Sequence, residues 1–182
     1  MTASKLTPCL LTSLLFVAGP ALADDHVSVL VGTNTAFDGD PASLRLSVRP
    51  EFGLSAGPMA SASLLVPITL TTWGDDGVGF STSQSLVEVP VSVRGRLFHD
   101  KPLRLYGDLG AGVAIGTSRF DGWFVNSTDQ SAAFMTRTAV GLEVGNPDAL
   151  SFVVEPASWT TYAADDAVRA RWGMMLGLSA AL

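Results

Sequence analysis

Cysteine is nearly missing from this chain: Cys9 is its single thiol, and it lies in a segment that reads as a cleaved leader. The mature protein therefore has no disulfide, unlike many small exported domains. Lysine is as scarce, present only at Lys5 and Lys101, and histidine occurs only at His26 and His99. Charged residues make up 15% of the sequence, against about 25% in ordinary soluble domains. Long apolar runs are missing too. Beyond the leader, no stretch approaches the roughly eighteen apolar residues of a membrane-spanning helix. These absences argue against a disulfide-stapled domain, a lysine-clad soluble domain and a helical membrane protein.

The leader is residues 1–23. Lys5 precedes an apolar stretch with Leu10, Leu11, Leu14, Leu15, Phe16 and Val17, and Ala21-Leu22-Ala23 follows. A short basic region, an apolar region and an A-x-A site are the parts of a secretory signal peptide. The apolar run is short and broken by Gly19 and Pro20, which argues against an uncleaved anchor. Residues 24–182, about 159 in all, are enough for one domain. Without Lys5, ten basic residues face seventeen acidic ones, a formal charge of −7. That charge argues against nucleic acid and against anionic membrane surfaces as partners.

What the mature chain does have is alternation. Between Val87 and Gly116, Val87, Val89, Val91, Val93 and Leu97 share one parity while Glu88, Ser92, Arg94 and Arg96 share the other. After the turn His99–Pro102 the pattern resumes: Leu103, Leu105, Leu109, Ala111, Val113 and Ile115 oppose Arg104, Tyr106, Asp108, Gly110 and Gly112. A period of two makes two-faced strands. The same rule gives six further runs, at Val27–Phe37, Ala42–Ser55, Ala60–Trp73, Ala132–Gly145, Leu150–Tyr162 and Val168–Leu182. Tight turns follow the second, fourth and sixth runs. Long loops, Gly74–Gln84 and Thr117–Ser131, follow the third and fifth. An even antiparallel count lets the last strand close on the first, which removes the edges that lipid could not satisfy. Four prolines inside runs, Pro50, Pro67, Pro90 and Pro156, each call for a bulge or a local break.

Alternation does not by itself say which face is wet, since a lipocalin-like soluble barrel has the same period with its faces reversed. Three features choose. Arg45, Arg49, Arg94, Arg96, Arg104, Arg137, Arg169 and Arg171, with Glu51, Glu88, Glu143 and Glu155, all fall on the polar face. Arginine's rigid fork suits paired, water-poor sites. Glycines gather on that same face, where an eight-stranded interior is just wide enough to be filled by side chains. Aromatics lie near strand ends: Phe37, Trp73, Phe120, Trp123, Phe134, Trp159 and Tyr162 at the long-loop end, Phe52 and Phe152 at the other. Two such bands correspond to interfacial girdles. The expected fold is all-β, an eight-stranded antiparallel up-and-down transmembrane β-barrel with a polar, filled lumen. Those arginines and glutamates, joined by Asp108, would form an ionic network, because an uncompensated buried charge costs several kcal/mol.

Val89-Pro90-Val91, followed by Arg94–Phe98 and by Leu105-Tyr106-Gly107-Asp108-Leu109-Gly110-Ala111-Gly112, resembles the small outer-membrane β-barrel families of the OmpX, OmpA-barrel and OmpW types. The eight-run layout extends the resemblance over the mature chain. It implies an integral barrel of the bacterial outer membrane, with loops extracellular and termini periplasmic, structural or interaction-related and sometimes a narrow pore. Its partners would be outer-membrane lipid and lipopolysaccharide and the barrel assembly machinery, and it would be a monomer. Two departures stand out. No peptidoglycan-binding domain follows the barrel, and the chain closes Ser179-Ala180-Ala181-Leu182 where such barrels end in an aromatic residue.

Some barrels of this kind modify lipid A, using a histidine at the outer leaflet. Here His26 and His99 both fall at the tight-turn end, so no catalytic residue and no cofactor is expected. Gly110–Gly116 imitates a dinucleotide fingerprint, but Ile115 stands at the third glycine and no helix follows. Asn126-Ser127-Thr128 matches a glycosylation sequon without a eukaryotic context. The long-loop end is acidic, and a rim of Asp75, Asp76, Asp165 and Asp166 could hold divalent cations against lipopolysaccharide phosphates. The expected role is structural or adhesive, with a narrow pore for small solutes or a soluble periplasmic lipocalin-like ligand-binding barrel as the alternatives.

Overall fold

A computed structural model describes residues 25–36, 43–57, 59–78, 80–122, 125–164 and 167–182. The leader, Asp38, Asp40, Asp165, Asp166, Phe37 and Trp123 lie outside those residues. The strands are β1 (His26–Ala36), β2 (Ser43–Ala56), β3 (Ala60–Leu65), β4 (Ile68–Gly77), β5 (Phe80–Leu97), β6 (Leu103–Gly122), β7 (Asn126–Gly145), β8 (Leu150–Ala164) and β9 (Ala167–Ala181). Every neighbouring pair is antiparallel, and β1 closes the ring by pairing with both β2 and β9. β3 and β4 each pair with β2 and with β5, so they are two lengths of one interrupted stave. The barrel therefore has eight staves, as the alternation predicts.

The prolines explain the irregularities. The break between β3 and β4 falls at Val66-Pro67, opposite Pro50, and a single bond from the Val66 amide to the Pro50 carbonyl (3.1 Å) bridges it. Pro50 and Pro67 lie diagonally across the break and both lack N–H groups, so the ladder is interrupted there. At Pro156 the register of β8 against β9 slips between Glu155 and Ser158. That bulge inverts the parity of the strand, which keeps Thr160 inside and turns Trp159 out. Pro90 stays in unbroken register opposite Gly112. A Cβ on Gly112 would lie 2.2 Å from the Val89 carbonyl oxygen, so the two backbones approach where only glycine fits.

Two expectations about the long loops need correction. Most of Gly74–Gln84 and Thr117–Ser131 is strand: β4 and β5 continue to a tight turn at Gly77/Phe80, and β6 and β7 continue to Asp121/Asn126. These extensions are polar on both faces, so no burial contrast imposes a period of two. β6 and β7 have 20 residues each, about twice the roughly 9–11 needed to cross a bilayer. Their paired outer ends, residues 117–122 and 126–131, stand clear of the apolar belt as a ribbon.

That belt is the outer wall. Val29, Val31, Leu46, Val91, Val93, Leu105, Leu109, Val113, Ile115, Phe134, Val140, Leu176 and Leu178 are exposed there, Leu109 most at 67%. The interior holds the arginines and glutamates. A water-soluble barrel has these faces the other way round, and the wall seen here is stable only against lipid. Leu109→Arg, near mid-belt, is expected to destabilise the inserted barrel by about 2–4 kcal/mol. Thr128→Arg on the ribbon should change stability little. Urea titrations of both variants in lipid vesicles would check this, and equal effects would reject the assignment of the wall.

Candidate functional site: the ionic lumen and its two vestibules

The lumen network is built by strand register. In β5 and β6, Arg94 lies directly opposite Asp108; its Nε and Nη2 donate to Oδ1 and Oδ2 at 2.7 and 2.9 Å, a bidentate pair. Arg104 lies opposite Glu143 on β7 and donates from Nε to Oε2 at 3.0 Å. Arg96 reaches the same carboxylate at 3.0 and 3.1 Å and also binds Glu51. Arg94 adds Glu51 at 3.0 Å and Glu143 at 3.3 Å. Glu51 and Glu143 thus hold three arginines together at the tight-turn end.

The middle layer spans the barrel. Glu155 on β8 takes Arg49 of β2 at 2.6 Å and Arg137 of β7 at 2.6 Å. Arg137 also reaches Asp108 at 3.3 Å, which joins the middle layer to the lower one. Tyr106 lies between them: its hydroxyl donates to Glu155 at 3.3 Å, and the Arg94 guanidinium sits 4.0 Å from its ring centre. The ring occupies the space above Gly141, its cross-strand partner, where a Cβ would fall 2.3 Å from Cζ. Higher still, Glu88 receives Arg45 at 2.7 Å and the Tyr162 hydroxyl at 2.5 Å. Every member of these layers is 5% exposed or less, apart from Tyr162 at 8%. Ionised pairs survive such burial only because each carboxylate has several donors.

The structure brings together the network residues read from the sequence except two, Arg169 and Arg171. Arg45, Arg49, Arg94, Arg96, Arg104 and Arg137, with Glu51, Glu88, Asp108, Glu143 and Glu155, are joined by ion pairs in the lumen. Arg171 is buried but lies higher, its guanidinium 4.3 Å from the ring centre of Trp73. Arg169 is exposed at the long-loop mouth and outside the network. Each lies on the inward parity of β9, but the first residues of that strand rise above the filled section. The aromatic expectation also needs revision. Phe134, Trp159 and Phe152 do face outward, whereas Trp73 and Tyr162 line the mouth from within. Parity alone puts Trp73 inside, whereas Tyr162 is turned inside by the register slip after Glu155.

Two cavities flank the plug. At the long-loop end a vestibule of about 360 Å³ is lined by Trp73, Gln84, Ser118, Asp129, Arg169 and Arg171 among others. At the tight-turn end a cavity of about 230 Å³ has His26, Ser61, Arg96, His99, Asp100, Arg104 and Asp148 around it. Both histidines sit at that end. In the tight turn Lys101 donates to Asp100 at 2.8 Å, and this hydrogen bond holds the Asp100 carboxyl below its usual range. Of the acidic rim, Asp75 is exposed at the end of β4, and the Asp76 side chain and Asp165 and Asp166 lie outside the description; nearby on β6, Asp121 is paired with Arg119 at 2.8 Å. Among the described residues no group of three metal-ligating side chains converges.

By sequence, no protein-family model and no curated protein matches the chain. Solved structures do resemble it. Ail, the attachment invasion locus protein of Yersinia pestis, aligns at TM-score 0.54 with 17% identity, over 86% of this chain and 98% of that one. Neisserial surface protein A aligns at 0.58 with 9% identity, over 87% and 96%. The outer membrane enzyme PagL aligns at 0.54 with 16% identity, over 86% and 99%. These identities speak to fold, and the fold is that of the small outer-membrane β-barrels, as the motif around Pro90 and Tyr106 suggests. An adhesion-related protein and an enzyme share it, so function must be argued from the site.

Proposed function

We propose that the chain is an integral protein of the bacterial outer membrane with a structural or surface-interaction role and no catalytic activity. The observation that carries this reading is the inversion of faces: an apolar belt around a lumen filled by interlocked arginines and carboxylates. By that reading the long-loop end, with its raised ribbon, faces the exterior beside lipopolysaccharide. The tight turns and termini face the periplasm, assembly passes through the barrel machinery, and the closed ring leaves a monomer. The absence of a catalytic role rests on chemistry. Both histidines line the tight-turn cavity, away from the outer leaflet. The carboxylates in the lumen are each occupied by arginine, which leaves none placed to act as a general base.

A narrow pore is the second reading, and the two end cavities favour it. Three layers of ion pairs separate them, however, so a conducting path requires Arg49, Arg94 and Arg137 to leave their partners. Two measurements decide. The outer-membrane protein should migrate as a compact band in unboiled SDS and shift on boiling. Reconstituted in planar bilayers, it should give no discrete conductance steps. Solubility without detergent would overturn the membrane reading. Regular steps of constant size would replace the structural role with the pore.

A further inference from the structure

The arginines and carboxylates of the lumen plug do not balance. Arg45, Arg49, Arg94, Arg96, Arg104 and Arg137 meet Glu51, Glu88, Asp108, Glu143 and Glu155, which leaves one positive charge over. A buried charge without a partner is costly, so the surplus calls for a counter-ion. Of those six arginines, Arg96 and Arg104 alone line one of the two end cavities, that of about 230 Å³ at the tight-turn end. Both residues are 5% exposed or less. A guanidinium has five N–H donors. Arg96 gives four of them to Glu51 and Glu143. Arg104 gives three, to Glu143, the Ser151 hydroxyl and the Lys101 carbonyl. One donor on Arg96 and two on Arg104 are left over beside the cavity. On the same wall the Nδ1 atom of His99 is buried with no hydrogen-bond partner among the described residues, and Ser61 adds a hydroxyl.

We infer that this cavity binds a small oxyanion, of which a phosphoryl group is the best match. Guanidinium groups recognise phosphate oxygens through charge-assisted N–H bonds, and here they come from two strands, β5 and β6. His99 Nδ1 suits monohydrogen phosphate in either tautomer. As N–H it donates to a phosphate oxygen, and as a bare nitrogen it accepts the phosphate proton. The acidic neighbours do not cancel the surplus. Asp100 is held by Lys101 at 2.8 Å with both side chains more than half exposed, and Asp148 is exposed at the rim. Charges in water are screened, whereas buried guanidinium groups are screened much less. Asp25, buried at this end, accepts from the Gly53 amide at 3.0 Å and does not line the cavity. About 230 Å³ is below the usual range of drug-sized ligand sites and suits one tetrahedral ion with its waters. The ion-pair layers behind it close the lumen, so the ion lodges without passing through.

The test is isothermal titration of the folded barrel in an alkyl maltoside at neutral pH, adding inorganic phosphate against a constant background of sodium chloride. One saturable site is expected. Arg104→Gln should weaken phosphate by about tenfold or more, the worth of a lost charge-assisted bond. It should also keep the boiling-dependent gel shift, because five arginines then meet five carboxylates. His99→Ala lies outside the ion pairs and tests the site independently of the plug; it should weaken phosphate by about fivefold. Arg169→Gln, at the opposite mouth, should leave affinity unchanged. Free phosphate and a phospholipid headgroup share this chemistry, and glycerol 1-phosphate separates them. Tighter binding of the ester assigns the site to a headgroup, and equal or weaker binding assigns it to the free ion. The inference falls if wild-type protein gives no saturable heat with either compound. It falls equally if His99→Ala leaves affinity intact, or if Arg169→Gln weakens phosphate as much as Arg104→Gln does.

Discussion

Glu155→Ala should abolish or nearly abolish the folded barrel. Glu155 is fully buried and accepts from both Arg49 and Arg137 at 2.6 Å. Without it Arg137 keeps Asp108 at 3.3 Å, but among the described residues Arg49 is left with the Ser47 hydroxyl and the Met175 sulfur, each at 3.1 Å. Removing one partner of a buried pair costs about 3–5 kcal/mol, because the remaining charge has been taken out of water. Domains have about 5–15 kcal/mol of stability in all, so most of the margin goes. The measurement is the fraction of unboiled, compact band and the urea midpoint in vesicles. The sharper arm is the double variant Arg49→Met, Glu155→Leu, which replaces two charges by apolar volume. It should recover a large part of the loss, since buried pairs are often replaceable by well-packed apolar residues. If Glu155→Ala folds as stably as wild type, the ion pairs across the lumen are not what fills and holds it.

Gly141→Val comes next. Tyr106 lies over Gly141, with Cζ, Oη and Cε1 at 2.3, 2.4 and 2.7 Å from where a Cβ would stand. A phenol ring at the end of a side chain could ordinarily swing away. Here it is held by the Arg94 guanidinium on its face and by Glu155 at its hydroxyl. A branched side chain must therefore displace the ring and both ion-pair layers it joins. Overpacking of this kind costs about 1–3 kcal/mol, occasionally more. Gly141→Ala should show the smaller end of that range. Tyr106→Ala alone also destabilises, by opening a cavity. The pair Tyr106→Ala, Gly141→Val should be markedly less unstable than the sum of its parts, since the new side chain then fills the space the ring left. Additive losses would mean that ring and glycine do not share that space. The readout is again the urea midpoint in vesicles for all four species of the cycle.

Both expectations turn on contacts that differ in how visible they are from the chain. Arg94 and Asp108 flank a tight turn at equal distances, so hairpin geometry brings them together and parity turns both inward. The same holds for Tyr106 opposite Gly141, one hairpin further on. The Arg49–Glu155 pair is separated by 106 positions and by the width of the lumen. Parity places both inside but says nothing of which arginine meets which carboxylate. Arg171 and Arg169 show the limit from another side. Their parity is inward, yet their height above the plug, not their parity, sends them to the vestibule.

The ribbon and the bulge show why the rest was not legible. Alternation appears in a sequence only where the two faces meet different solvents. Along Val87–Leu97 and Leu103–Gly116 one face meets lipid and the other the lumen, and the period of two is clear. Along Phe80–Leu86, Thr117–Gly122 and Asn126–Ser131 both faces are wet, so strands of the same ladder read as loop. Pro156 signals an irregularity, but whether parity slips depends on how β9 pairs across it. By itself, then, the sequence determined the fold class, the eight staves and the sorting of residues between wall and lumen, because a burial contrast is written residue by residue. Only the tertiary structure decided which charges pair, where the plug ends and where the two cavities begin, because those depend on stagger and closure of strands far apart in the chain.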